Sequence, residues 1–252
     1  METDAPAVAI IPARLHSTRL PGKALALIGG RPMVAHVAER TRRAHGLARV
    51  IVATDDARIA AAVEATGVEA TLTRADHPTG TDRLAEVAGR LQAAIVVNVQ
   101  GDLPLVDPAM VEGLVARLRA EPTLPMATLR TPIHDDAEWR SPHVVKVVVG
   151  ADGRALYFSR SPIPHDRDGR RAPGTPFGWR HIGMYAYRRE VLLRLSTWPP
   201  SPLEQREQLE QLRALEHGIA IGVVEWNAAE PLIEVDTPED LERARAAMNG
   251  AR

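Results

Sequence analysis

The chain contains no cysteine, which removes disulfide frameworks and thiolate chemistry from consideration. It has no excess of positive charge either: 31 Lys and Arg stand against 32 Asp and Glu, a formal net charge of -1. A protein that holds nucleic acid through bulk charge is therefore not expected, although a local basic pocket for a small anion stays open. The nine histidines are scattered and form no HExxH pair, so no structural zinc site is expected. The apolar runs fall far short of a membrane span, and no basic segment precedes the first of them. A cytoplasmic protein without membrane association is the expectation. Two phosphate-binding fingerprints are also missing. No GxGxxG occurs, and Gly22-Lys23 lacks both the earlier glycine and the following hydroxyl residue of a Walker A loop, where Ala24 stands instead.

What remains is an α/β pattern. Of 252 residues, 45% are hydrophobic, ample for one large core. Strands are expected at 7–11, 49–54, 69–72 and 94–99, alternating with helices at 32–44, 56–66, 81–91 and 108–120, which implies right-handed crossovers and a mostly parallel sheet. After residue 120 the rhythm changes. Strands are expected at 126–131, 144–149, 155–158 and 181–187, with Asp152-Gly153 turning a hairpin between two of them. The proline-, glycine- and arginine-rich stretch SPIPHDRDGRRAPGTPFGWR follows as a long loop. One helix is expected over 201–217 and another over 238–248, the latter capped by Thr237 with Pro238 in its first turn. The whole reads as one domain over 1–252, with a mixed-sheet lobe inserted at roughly 126–190.

Ligands of open α/β sheets bind beyond the carboxyl ends of the strands, and several loops there carry chemistry. IIPARLHSTRLPGKAL brings Arg14, Arg19 and Lys23 into one loop that could surround a polyphosphate; read alone, these are also ordinary solvated charges. NVQGDLP places Asp102 after a buried strand, suited to a magnesium ion or to a simple turn. EVDTPED offers Asp236 as a second carboxylate or as part of a helix cap. TRADHPTGTDR places small residues at a helix N-terminus, where N–H groups are free for a ligand.

Taken together, IIPARLHSTRLPGKAL, VATDD, TRADHPTGTDRLAEV, VNVQGDLP, VVKVV, ALYFSRSPIP, RHIGMYAYRR, WPPSPLEQREQLEQLR and VDTPEDLERAR resemble the CMP-Kdo synthetases, the 3-deoxy-manno-octulosonate cytidylyltransferases, in order across nearly the whole chain. The resemblance implies a Rossmann-like nucleotide-diphospho-sugar transferase fold, dimeric through the inserted lobe. It also implies a Mg2+-dependent reaction of CTP with Kdo for lipopolysaccharide synthesis. Carried onto this chain, it assigns Arg14 and Lys23 to the triphosphate, with Arg19 assisting, and Ala13, Arg74, Thr79 and Gly80 to the cytidine pocket. Asp102 and Asp236 become the metal carboxylates. Gln100, Arg160, Arg167, His181, Tyr185, Glu210 and Gln211 become contacts of the sugar acid, with Gln100 also near the nucleotide.

Residue chemistry bears on part of this set. Arginine suits a carboxylate because its planar fork makes two parallel hydrogen bonds. His181 and Tyr185, four apart on a strand, share a face. On a continuous helix, Glu210 and Gln211 point about 100° apart, whereas Glu207 and Gln211 share a side. One residue departs from the family pattern: Leu103 stands where relatives typically carry an acidic residue after Asp102. This leaves another acidic acceptor open, such as a Kdo analogue, a different 2-keto sugar acid or a phosphonate. A non-catalytic nucleotide binder is the rival of another class, and the joint presence of Lys23, Asp102 and Asp236 argues against it.

Overall fold

The computed structural model describes residues 6–16, 19–169, 171–227 and 232–250; Ser17 and Thr18 of the first basic loop and Arg170 of the long loop lie outside them. The first half runs β1 (Ala7–Ala13), a 3-10 turn at Lys23–Leu25, the hairpin strands β2 (Leu27–Ile28) and β3 (Arg31–Pro32), and α1 (Met33–Arg42). It continues with β4 (Leu47–Thr54), α2 (Ala57–Glu64), β5 (Glu69–Leu72), α3 (Gly80–Gly89), β6 (Ile95–Asn98) and α4 (Pro108–Ala120). The second half holds β7 (Met126–Ile133), α5 (Asp136–Arg140), β8 (Lys146–Val149), β9 (Ala155–Ser159), β10 (Gly178–Arg188) and α6 (Arg189–Leu195). It ends with α7 (Pro202–Glu207), α8 (Gln211–Glu216), β11 (Ile221–Glu225) and α9 (Pro238–Gly250).

The main sheet has the order β11-β7-β10-β6-β1-β4-β5. β6, β1, β4 and β5 are mutually parallel, β10 runs against both its neighbours, and β11 is parallel to β7. β7 and β10 thus belong to the central sheet. Of the segment 126–190, β8 and β9 form an antiparallel ladder branching from β10. β1, β6 and the second half of β4 are buried on both faces, and alternation along them sorts the side chains into two layers. Ala9, Ile11 and Val97 join the layer that α1, α2 and α4 cover with Val37, Ile59 and Leu114. Val8, Ile10 and Val96 join the other, covered by α3, α6 and α8 through Leu84, Leu192 and Leu212.

Local rules explain most element ends. Asp56 and Asp107 cap α2 and α4 by accepting from Arg58 N and Ala109 N, and Pro108 fills the first turn of α4, where no N–H is needed. Thr79 and Asp82 form a capping box on α3, and Thr237 and Asp240 bond reciprocally at the start of α9. The helix expected over 201–217 is instead two. Gln208 adopts φ 55°, ψ 51° between α7 and α8, and tertiary contacts account for the break. The Glu207 carboxylate accepts from Ser159 Oγ and Arg160 N, while the Arg160 guanidinium donates to the carbonyls of Glu207 and Gln208. A continuous helix would need the Glu207 carbonyl for itself. Glu207 and Gln211 therefore do not share a helical face.

Candidate active site

Two adjoining cavities of about 380 and 320 Å3 open at the carboxyl ends of β1 and β6. Their shared wall is made by Gly80, Gln100, Asp102 and Glu210. The close approach of two loops builds this wall: a Cβ on Gly101 would stand 2.7 Å from the Pro12 carbonyl oxygen. Only a glycine lets the β6 loop lie against the end of β1.

The first cavity is lined by Ala13, Arg14, Arg19, Lys23, Thr79, Gly80, Gln100, Asp102 and Asp236, all drawn together from separate parts of the chain. Lys23 sits at its centre. Its Nζ donates to Asp102 Oδ2 at 2.8 Å and to Asp236 Oδ1 at 3.0 Å, and Arg19 adds a 3.0 Å ion pair to the far oxygen of Asp236. Burial works against the Lys23 ammonium, but the two carboxylates outweigh it and hold the pKa above its ordinary value. Asp102 and Asp236 converge for two reasons. Val235 N donates to the Asp102 carbonyl at 3.0 Å. Beneath them, Ile233 and Val235 pack with Ile28, Met33 and Leu105 in a third apolar cluster. The sequence places these carboxylates 134 positions apart, and this cluster closes that separation.

The amino end of α3 faces the same cavity, with Thr79 engaged in its capping box. Arg74 does not reach the cavity: its guanidinium pairs with Asp76 on the exposed side of the loop. The arginine of that segment which lines the cavity is Arg83, buried and fixed by Asp55 Oδ2 at 3.0 Å and by the Arg74 carbonyl. Its signal was available, since it shares the TRADHPTGTDR stretch with Arg74, but only the turn into α3 decides which of the two faces inward. Arg31 makes a bidentate pair with Glu39 at the surface, away from the cavity.

The second cavity gathers Gln100, His181, Tyr185, Glu210 and Gln211. Gln100 Nε2 donates to the Gly183 carbonyl at 2.9 Å, tying the β6 loop to β10. Glu210 accepts from Thr81 Oγ1 at 2.7 Å. Although it opens onto the cleft, the protein around it raises its pKa by desolvation. His181 is buried, and desolvation, aided by the nearby Arg180 charge, lowers its pKa to about 3. The Thr128 hydroxyl spends its proton on backbone carbonyls and so accepts from His181 Nε2 at 2.9 Å. That assignment leaves His181 Nδ1 as a hydrogen-bond acceptor. Gln211 Nε2 and Asn98 Oδ1, on residues lining this cavity, have no protein partner among the described residues.

Arg160 and Arg167 line neither cavity. Arg160 is consumed by the carbonyls of Pro142, Glu207 and Gln208, so it shapes the α7–α8 break that presents Glu210 and Gln211. Arg167 is exposed in the long loop, 3.8 Å from Asp168. Sequence reasoning passed over Arg180 and Glu234, which do line the second cavity. It also passed over Lys146, fully buried, whose ammonium donates to the carbonyls of Ser141, Val144 and Arg160. A signal for Lys146 existed: Lys23 and Lys146 are the two lysines of a chain otherwise charged by arginine. A compact ammonium with three donors suits both sites where a planar fork would not.

Residues 8–221 match the family model described as cytidylyltransferase. The 3-deoxy-manno-octulosonate cytidylyltransferase of Syntrophotalea carbinolica is 53% identical over 247 residues, covering 96% of this chain and 98% of that protein. The chain belongs to the 3-deoxy-manno-octulosonate cytidylyltransferase family. The family member from Geobacter sulfurreducens is 53% identical over 242 residues, 93% of this chain and 96% of its own length. A solved structure of CMP:2-keto-3-deoxy-manno-octonic acid synthetase complexed with CTP is 48% identical. It covers 98% of this chain and 100% of its own, with a TM-score of 0.92. In this member of the cytidylyltransferase family, Leu103 is fully buried in the apolar layer under α4. Its side chain leaves the site and lines neither cavity.

Proposed function

We infer that this protein transfers CMP from CTP to the 2-hydroxyl of 3-deoxy-D-manno-octulosonate, releasing pyrophosphate. The observation that carries the reading is the shared wall. A cationic cavity with the loops of a nucleotide site meets a second, hydrogen-bonding cavity at Gln100 and Asp102. A phosphorus held in the first and a hydroxyl held in the second would meet there.

In the transfer, the acceptor oxygen bonds to the α-phosphorus as the bond to pyrophosphate breaks, and the hydroxyl gives up its proton to water in the open cleft. The protein contributes position and charge. Arg14, Arg19 and Lys23 offset the negative charge of the triphosphate and of the leaving pyrophosphate. Lys23 is suited to this because its ammonium rides on a flexible stem and can turn from the carboxylates to phosphate oxygens. The N-terminal turn of α3 offers N–H groups to the nucleotide. Asp102 and Asp236 fit a divalent ion: two hard oxygen donors from different loops already converge on one cationic centre. Mg2+ bound there would supply charge neutralisation on phosphate oxygens and a lowered pKa for the attacking hydroxyl. His181 Nδ1, Glu210 and Gln211 orient the sugar hydroxyls.

The proposal extends to a cytoplasmic homodimer, joined through the 126–190 segment, that supplies lipopolysaccharide synthesis; family resemblance supports this part, and light scattering of the purified chain tests the dimer. The reaction is tested by pyrophosphate release from CTP with Kdo, its analogues, other 2-keto sugar acids and phosphonates. Kdo should be the preferred acceptor; turnover confined to a phosphonate would overturn the reading. Asp102→Ala and Asp236→Ala should each cut kcat by roughly 100-fold or more with the fold kept, and a near-wild-type rate at saturating Mg2+ would remove that residue from the metal site.

A further inference from the structure

We propose that Arg180 receives the carboxylate of the acceptor. The inference rests on the acceptor reading above and assigns its charge recognition to a residue outside the set expected from sequence. The second cavity is lined by three carboxylates, Asp102, Glu210 and Glu234. Among the described residues lining it, Arg180 is the one with a permanent positive charge. An acidic sugar entering this cavity without a cation would meet like charge on several sides, and each such contact opposes binding. His181 cannot serve, because burial keeps its ring neutral near neutral pH.

Arg180 also has bonding capacity to spare, unlike the other arginines packed near this cavity among the described residues. Arg83 is anchored on Asp55, Arg160 on three backbone carbonyls, and Arg213 on Glu204 at 2.5 and 2.8 Å. Arg180 instead stands 3.5 Å from Glu138 Oε1 and 4.0 Å from Glu234 Oε2. A charge-assisted hydrogen bond between such groups is about 2.7–2.9 Å long, so both pairings are loose. They hold the guanidinium near the cavity while leaving its fork open to a carboxylate. The backbone beneath is rigid: at Arg180, β10 pairs with Thr131 of β7 on one side and Lys146 of β8 on the other. A guanidinium on a doubly paired strand is pre-organised in a way that one on the exposed loop of Arg167 is not. The next residue of the strand, His181, lines the same cavity, so the carboxylate and the sugar hydroxyls would be read by adjacent positions.

The test is steady-state kinetics of the full chain with CTP and two acceptors, Kdo and its C1 carboxamide, for wild type, Arg180→Gln and Arg180→Lys. Wild type should favour the acid. Arg180→Gln should raise KM for Kdo roughly 10- to 100-fold, the range of a lost charged hydrogen bond, and should level the preference between acid and amide. KM for CTP should stay unchanged. Arg180→Lys keeps the charge and loses the fork, so a several-fold loss of acid preference is expected; it carries the test if Arg180→Gln melts early. Wild-type discrimination in the variants would overturn this inference alone. A wild-type chain that turns over neither acceptor would overturn the acceptor reading and this inference with it.

Discussion

Replacing Lys23 with methionine probes the centre of the site without depending on catalysis. The ammonium contacts Asp102 and Asp236 at 2.8 and 3.0 Å, and the three side chains are 18, 25 and 33% exposed. Pairs this sheltered lie between two measured regimes. Exposed ion pairs contribute about 0–1 kcal/mol, while removing one partner of a buried pair costs about 3–5 kcal/mol. Lys23→Met should therefore destabilise the chain by about 1–3 kcal/mol in EDTA at neutral pH, read by urea denaturation. The loss leaves two carboxylates facing one another, so added Mg2+ should raise the stability of the variant more than that of wild type, where the ammonium already fills the place. The pH dependence has a definite sign. The Lys23 pKa is raised in the fold, so the contribution is complete below the ordinary lysine value of 10.5 and is lost as pH climbs through the higher folded value. A variant as stable as wild type in EDTA, and indifferent to Mg2+, would refute both the energetic argument and the convergence of the carboxylates on one cation site.

Arg213→Met should cost about 3–5 kcal/mol by the same assay, since it strands the buried Glu204 carboxylate and frees the carbonyls of Leu195 and Trp198; a loss below 1 kcal/mol would show that Glu204 finds water or another partner. Gly101→Ala should cost about 1–3 kcal/mol and raise KM for both substrates, because its methyl group must push the Pro12 carbonyl away from the shared wall; crystallography of the variant would show the displaced loop, and an unmoved loop with unchanged KM would contradict the account. His181 has a folded pKa of about 3 against an ordinary 6.5, so the unfolded chain binds more protons between these values and stability declines as pH falls through that window. The decline from this one group is roughly 5 kcal/mol, and His181→Gln should show a shallower slope over the same range.

The elements with strong local signals were legible. The central parallel strands are short apolar runs, the helices after β3, β4, β5 and β6 carry periodic apolar faces, and those after β4, β5 and β6 have recognisable caps; α4 begins and ends where its periodicity places it. The split of α7 from α8 was not legible, because the Arg160 and Glu207 contacts that cause it come from a strand 47 positions away. β11 and α6 carried apolar patterns too brief to separate from their surroundings. At the site, the basic loop, Asp102, Asp236, His181, Tyr185, Glu210 and Gln211 all reach the cavities. Three arginines did not follow expectation. Arginine is long and abundant in this chain, and position in a motif does not say which guanidinium is spent on carbonyls, as in Arg160, or on a neighbouring carboxylate, as in Arg74.

By itself, the order of residues determined the class of fold, the residue types available for nucleotidyl transfer and the family to which they belong. These depend on local periodicity, on turn and cap chemistry, and on which side chains exist at all. Tertiary structure decided which charges act together. It set Lys23 between two carboxylates from distant loops, turned Leu103 into the core, locked Arg160 onto a helix break and left Arg180 loosely held against the second cavity. Electrostatic and hydrogen-bond energies fall off over a few ångströms, and distances of that size between remote segments come into being only when the sheet and its two apolar layers close.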